Sequence, residues 1–339
     1  MHPPPSPPSA APEPARRRVL TGLGLLVSAG AVGTAAYGSI TSASAGGDLR
    51  SSLTVIAPAA AGGGWDTCAR ELQAAQRAQS IVNNTQVLNI PGAGGTIALG
   101  NLTTLAGRPE TIMVGGTGQL AATIQYDTDV TLADVTHLAT IVAEIGVVVV
   151  KADAPYATLE DLAEAWRADP GAVPWTGGGS FDQLVVTSLA IASGVDPIDM
   201  TYISSDGGGE ATQAVLNGTA VAATGGYPDN KDLIASGRFK ALALVAEEPH
   251  PTIDIPTTVE QGFDVTLTNW RSLHAPPGIA EEARAELVGI IQETVATPEW
   301  KDAIDRFSWM PVERYGEELQ EFLDAQKTEI TALYEELGA

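Results

Sequence analysis

Val55-Ile56-Ala57-Pro58-Ala59-Ala60-Ala61-Gly62-Gly63-Gly64-Trp65-Asp66-Thr67 is the stretch that decides how the rest of the chain is read. It predicts a short buried strand, a glycine loop, and a helix from about Asp66 to Gln79. Glycine lets the backbone turn sharply and lets a ligand come close to it. The helix opens with free N–H groups at the positive end of its dipole. Strand, glycine loop and helix start together make an anion site. A single loop of this kind often only turns the chain, but here the device is repeated.

A strand at Thr85–Ile90 leads to Pro91-Gly92-Ala93-Gly94-Gly95-Thr96 and a helix to about Leu105. A strand at Thr111–Val114 leads to Gly115-Gly116-Thr117-Gly118 and a helix over Gln119–Ile124. This rhythm predicts βαβ units, a mostly parallel sheet with helices on both faces, and ligands beyond the carboxyl ends of the strands. The apolar run Ile145–Val150 predicts a central buried strand, too short to span a membrane. Thr158, with Asp161 three residues on, predicts a helix start close to a capping box.

A second set of units follows. Val173–Thr176 leads to Gly177-Gly178-Gly179-Ser180-Phe181-Asp182 and a helix to Ala192. Met200–Ile203 leads to Ser204-Ser205-Asp206-Gly207-Gly208-Gly209-Glu210 and a helix to about Leu216. Val221–Ala223 leads to Thr224-Gly225-Gly226-Tyr227 and another helix, and Phe239–Val245 is a buried strand. Thr266–His274 reads as a strand returning to the first half, and from Ala280 onward the chain reads as helical. The expected architecture is α/β, with two lobes of mostly parallel central sheets facing each other across a cleft. Lobe 1 takes residues 48–147 and 268–339, and lobe 2 takes residues 148–267.

Composition narrows the function. The 339 residues suffice for two domains. A net charge of -23 argues against nucleic acid, whose phosphates need Lys and Arg. The single cysteine, Cys68, excludes an intrachain disulfide or a cysteine metal site. His2, His137, His250 and His274 show no metal-ligand spacing, so neither metal nor cofactor is expected. No lysine precedes Lys151, which rules out a Walker loop in the first half. An anion there must rely on backbone N–H groups, hydroxyls or an arginine such as Arg70. Ile97 breaks the dinucleotide fingerprint. Gly178-Gly179-Ser180-Phe181-Asp182 is not the elbow of a serine hydrolase, and nothing in the spacing supports a Ser180, His274, Asp182 trio. No catalytic residue is assigned, and a non-enzyme is expected.

Arg16-Arg17-Arg18, an apolar run from Val19 to about Ile40, and Ala43-Ser44-Ala45 describe an export signal with a twin-arginine look over residues 1–45. It is either cleaved near Ala45 or retained as an anchor. Individual side chains leave alternatives open. Trp65 and Trp175 either meet a ligand or pack under their loops. Asp66 caps its helix or touches the ligand; Ser180 and Asp182 bind a ligand or cap theirs. Arg271 reaches a carboxylate or pairs with an internal acid.

Several motifs, in order, match one family. Pro58–Asp66, Asn89–Gly95, Asp206–Glu210, Ser236–Ala243, Ile255–Gly262 and Asn269–Gly278 resemble the solute receptors of tripartite tricarboxylate transporters, the Bug or TctC type. The resemblance runs from about Leu53 to Leu337. It implies a type II periplasmic-binding-protein fold, an extracytoplasmic location, and a monomer that closes on a small carboxylate. It also implies delivery of that ligand to the membrane subunits of a transporter; feeding a sensor kinase is the alternative. Carried over residue by residue, it assigns the ligand to Ala61, Gly62, Gly63, Trp65 and Asp66, and to Gly92, Ala93, Gly94, Gly95 and Thr96. Thr117 and Gly118 join them, with Gly178, Gly179, Ser180, Asp182, Asp206 and Gly207 from the second lobe. Phe181, Trp65 and Trp175 depart from the pattern, so tricarboxylates, dicarboxylates, acidic amino acids and aromatic acids all stay open as ligands. A bulky residue at Gly94 is expected to abolish binding without unfolding the protein.

Overall fold

The computed structural model describes residues 48–205 and 207–338. The expected export signal and Asp206 therefore lie outside the described residues. The chain from Gly47 forms one compact unit built on two sheets.

The first sheet begins with β1 (Leu53–Ala57), whose side chains are nearly all buried, followed by α1 (Gly64–Ala78) and β2 (Thr85–Asn89). Then come α2 (Thr96–Thr103), β3 (Thr111–Gly116), α3 (Thr117–Gln125) and β4 (Thr136–Glu144). β2 and β3 flank β1, both parallel to it, with Val55 opposite Val87 on one side and Ile112 on the other. Burial on both faces explains why β1 and β3 read as near-continuous apolar runs, whereas β2, at the sheet edge, is only partly buried.

One residue, Ile145, separates β4 from β5 (Gly146–Lys151), and with that step the chain passes into the second sheet. There follow α4 (Leu159–Ala168), β6 (Trp175–Gly177), α5 (Ser180–Ser193), β7 (Tyr202–Ser204), α6 (Gly208–Asn217), β8 (Ala222–Gly226), α7 (Tyr227–Ala235) and β9 (Phe239–Val245). The capping box at α4 forms: Asp161 N–H donates to Thr158 Oγ1 at 3.1 Å, and Thr158 N–H donates to Asp161 Oδ2 at 2.9 Å. The chain returns through β10 (Asn269–Ala275), then α8 (Glu281–Val295), α9 (Pro298–Phe307), β11 (Trp309–Arg314) and α10 (Gly316–Glu336). The strand orders are β11-β4-β10-β3-β1-β2 and β7-β6-β8-β5-β9.

The fold is α/β, and each βαβ unit is parallel as its rhythm predicts. The strands on which the chain crosses between sheets run the other way: β5 is antiparallel to β8 and β9, and β10 to β3 and β4. Both sheets are therefore mixed. Two further differences have local causes. The stretch before Ile145, which carried no strand expectation of its own, forms β4. The C-terminal stretch read as wholly helical contains β11 on the sheet edge, antiparallel to β4. Ser308, at φ 51°, ends α9, and Trp309 turns inward to stack on Phe307, ring centroids 4.9 Å apart. Pro311 fits an edge strand because the missing N–H is not needed there.

Candidate functional site

A cavity of about 570 Å³ lies between the two sheets, at the ends of their strands. The loop before α1 lines it with Gly62, Gly63 and Gly64, and the second sheet adds Gly178, Gly207 to Gly209, Gly225 and Gly226. Glu144, Asn269 and Arg271 line it where the chain leaves and re-enters the first sheet. Four helices open at this cavity, α1, α5, α6 and α7. Each has a glycine N-cap (Gly63, Gly179, Gly207, Gly226) and no side chain bonded to the cap. By contrast, threonines cap α4 and α9. Uncapped N–H groups at converging helix starts suit an anion.

The structure brings Gly62, Gly63, Gly178, Asp182 and Gly207 onto this cavity. The other assigned residues stand nearby in different roles. Ala61 is exposed in the same loop. Asp66, 2% exposed, accepts from Gly62 N–H at 2.7 Å, Arg70 Nε at 2.8 Å and Asn89 Nδ2 at 2.8 Å. Burial pushes its carboxyl up, but those donors outweigh it and hold the carboxyl below its ordinary range. Asp66 thus ties the glycine loop to α1 and β2.

Trp65 stands between the cavity and the Gly92–Thr96 loop. Its ring lies beside Gly95, Gly116 and Gly118, and the Arg271 guanidinium carbon sits 6.0 Å from the ring centroid. Gly92, Ala93, Gly94 and Gly95 all have positive φ, and Thr96 Oγ1 bonds back to the Ala93 carbonyl. A Cβ on Gly94 would lie 2.5 Å from the Ala122 Cβ on α3, so the loop packs without room there. Thr117 Oγ1 donates to the Thr268 carbonyl and accepts from Trp270 N–H, bracing α3 on β10. A Cβ on Gly118 would meet the Trp65 ring, whereas Gly179 faces open space. Ser180 Oγ donates to Gln125 Oε1 at 2.7 Å, joining α5 to α3. Trp175 is buried against Trp166, ring centroids 4.9 Å apart, so packing under the loop is its role.

Arg271, 5% exposed, takes the internal pair: Nη2 is 2.5 Å from Glu144 Oε2, and Nη1 is 2.7 Å from Asn269 Oδ1. Its Nε is buried with no partner among the described residues. Asp182 Oδ2 accepts Gly178 N–H at 2.7 Å. Loss of hydration, with Asp229 and Glu144 adding negative charge, nonetheless pushes its carboxyl up to about 7. Asp229 is reachable from the cavity yet hemmed in by protein, and desolvation and Glu144 raise it too. The hydrolase trio does not assemble. His274 is fully buried against Ser272 (2.7 Å) and His137 (3.0 Å), while Ser180 and Asp182 bond elsewhere.

Sequence reasoning missed Glu144, Asp229 and Asn269. Glu144 had a signal, being an ionisable residue inside the apolar run from Ala139 to Val150. Asp229 had a weaker one, an acid in the first turn after a glycine loop.

The chain as a whole has relatives among known proteins. Residues 68–339 match the family model described as tripartite tricarboxylate transporter family receptor. The chain belongs to this receptor family. A relative encoded in the gbd 5′ region of Cupriavidus necator is 25% identical over 285 residues, 82% of this chain and 85% of the relative. MatC from Rhodopseudomonas palustris, solved with bound malate, shares the fold at TM-score 0.69 and 21% identity, over 84% of this chain and 98% of that one. A second R. palustris protein, solved with adipate, reaches TM-score 0.74 at 19% identity, over 85% and 97%. That family is described as one of receptors. Among the described residues of this chain, no helix is long and apolar enough to cross a membrane.

Proposed function

We propose that this protein is an extracytoplasmic receptor that captures a small carboxylate between its two sheets and delivers it to the membrane subunits of a tripartite tricarboxylate-type transporter. Four glycine-capped helix starts on one cavity carry the reading, because helix starts without a side-chain cap leave N–H groups for an anion. The malate and adipate held by the two structural relatives support the ligand class. The first sheet with its helices acts as one lobe and the second as the other, the chain crossing at Ile145 rather than after residue 147 and returning at β10, and ligand contacts made in the closed form shift the balance toward closure. Gly62, Gly63, Gly178 and Gly207 line the ligand's wall; the N–H groups of Gly62 and Gly178 are spent on Asp66 and Asp182, so the ligand meets the helix starts that follow, at Gly64 and Gly208. Trp65 and the Gly92–Thr96 loop shape the first-lobe wall behind them.

Thermal unfolding of the purified protein against carboxylates, sugars and metal salts tests this. A ligand at a hundred times its dissociation constant adds about 2.7 kcal/mol, a readily measured rise in midpoint. Carboxylates should raise the midpoint and sugars should not. A response confined to sugars or metals would overturn the proposal.

A further inference from the structure

Six α-helices among the described residues start behind a glycine with no side chain bonded to the cap: α1, α2, α3, α5, α6 and α7. Four of them open on the cavity between the sheets. The starts of α2 and α3 do not, for none of residues 92–96 or 116–119 lines it. The indole of Trp65 stands there instead, one residue past the cavity-lining Gly64. Its rim touches both withheld helix starts. The point where a Cβ would sit on Gly95, the cap of α2, is 3.3 Å from Trp65 Cη2. The same point on Gly116, the cap of α3, is 3.3 Å from Trp65 Nε1. On Gly118, in the first turn of α3, it is 3.6 Å from Trp65 Cζ2 and 4.0 Å from the Phe181 Cβ of α5. Over the indole face lies the guanidinium carbon of Arg271, 6.0 Å from the centroid, and Arg271 lines the cavity. Cavity, indole and helix starts thus follow one another in that order. The ring is only partly buried, and its Nε1 has no acceptor among the described residues, so no hydrogen bond of its own fixes it there.

We propose that Trp65 is a specificity-determining residue that sets the length of acid this receptor takes, because its indole fills the space through which a ligand would otherwise reach the starts of α2 and α3. This role rests on the reading above that the cavity takes a carboxylate. With the ring in place the ligand ends at the indole, and two of the six uncapped helix starts contribute nothing to it. With a small residue there, the cavity runs on to both. The opened space is walled partly by backbone at helix starts, so it admits water or the far carboxylate of a longer acid.

The test is isothermal titration of the purified full chain with unbranched mono- and dicarboxylates of three to ten carbons. The parent protein and Trp65→Ala are compared by their ranking of chain lengths, which a merely structural loss would weaken evenly and not reorder. Acids longer than the parent's optimum should bind Trp65→Ala at least tenfold tighter than they bind the parent, and the optimum should lengthen by two carbons or more. Trp65→Phe keeps a ring in the gap and should keep the parent's ranking. Circular dichroism confirms that each variant is folded. Should Trp65→Ala fail to fold, Trp65→Leu, which keeps an apolar contact with less bulk, should shift the ranking the same way. A folded Trp65→Ala or Trp65→Leu with the parent's ranking overturns the role of Trp65 while leaving the carboxylate receptor standing. Binding of no acid by any of these proteins removes both.

Discussion

Asp66 and Asp182 make the same bond in the two halves of the molecule, each accepting, at 2.7 Å, the N–H of the glycine four residues before it. Their surroundings are opposite. Asp66 also receives Arg70 and Asn89, whereas Asp182 faces Asp229 and Glu144. One carboxyl titrates below its ordinary range and the other near neutrality, and each gives its own pH dependence.

Asp66→Ala should cost about 2–3 kcal/mol at pH 7, because the Gly62 amide and the Asn89 side chain lose a charged acceptor. A carboxyl held below its unfolded value of 3.8 stabilises the fold above that pH and loses the contribution as pH falls through the folded value. The gap between parent and variant should therefore shrink at pH 3. Urea unfolding at the two pH values checks it; an equal gap at both would show that the charge is irrelevant.

Asp182→Asn should act in the other direction. A carboxyl raised from 3.8 to about 7 keeps, in the folded state, a proton that the unfolded chain has released, so stability falls as pH rises between those values. The amide keeps an acceptor for Gly178 N–H and removes that pH-dependent loss. The variant should be about 2 kcal/mol more stable than the parent at pH 8, with little difference at pH 4. Guanidinium titrations at both values decide it, and a variant that is less stable at pH 8 contradicts the assignment.

Arg271→Met removes one member of a buried pair and leaves Glu144 uncompensated at the crossing between sheets. The expected loss is about 3–5 kcal/mol. Glu144→Gln keeps an acceptor for the guanidinium and should lose less. Equal losses would mean that charge pairing contributes nothing there.

Gly94→Val tests packing rather than ligand contact. The sequence alone suggested a block of binding in a folded protein; the structure sets φ at 59° and puts Ala122 in the way. The substitution should destabilise by about 2 kcal/mol or more. Gly209 gives the cleaner probe, since it lines the cavity, has no positive φ, and faces open space. Gly209→Leu should weaken carboxylate binding at least tenfold without lowering the unfolding midpoint. Undiminished binding would argue that the ligand sits elsewhere.

The βαβ rhythm was legible because each turn between strand and helix needed glycine, and glycine is visible in a sequence. The capping box at Thr158 and Asp161 was legible for the same reason: it is local. What escaped was set by distant partners. β11 is a strand because β4 offers it an edge, and nothing near Trp309 announces that edge. Gly92–Thr96 and Gly62–Gly64 look alike as loops, but Trp65 stands between them, and only packing places it there. The acidic wall of the cavity comes from Glu144, Asp182 and Asp229, which lie far apart in sequence and meet only when two sheets face each other.

One apolar cluster runs without a break from Ile56 in the first sheet through Trp270 and Tyr334 to Val148 and Trp175 in the second. Two halves that share a core in this way have no separate melting points. Heating should give a single calorimetric peak whose van't Hoff and measured enthalpies agree. The slowest-exchanging amides of β1 and β5 should report the same free energy of opening. Any motion that admits the ligand must then keep that shared face intact, which makes it a rocking about a fixed seam instead of a parting of two bodies.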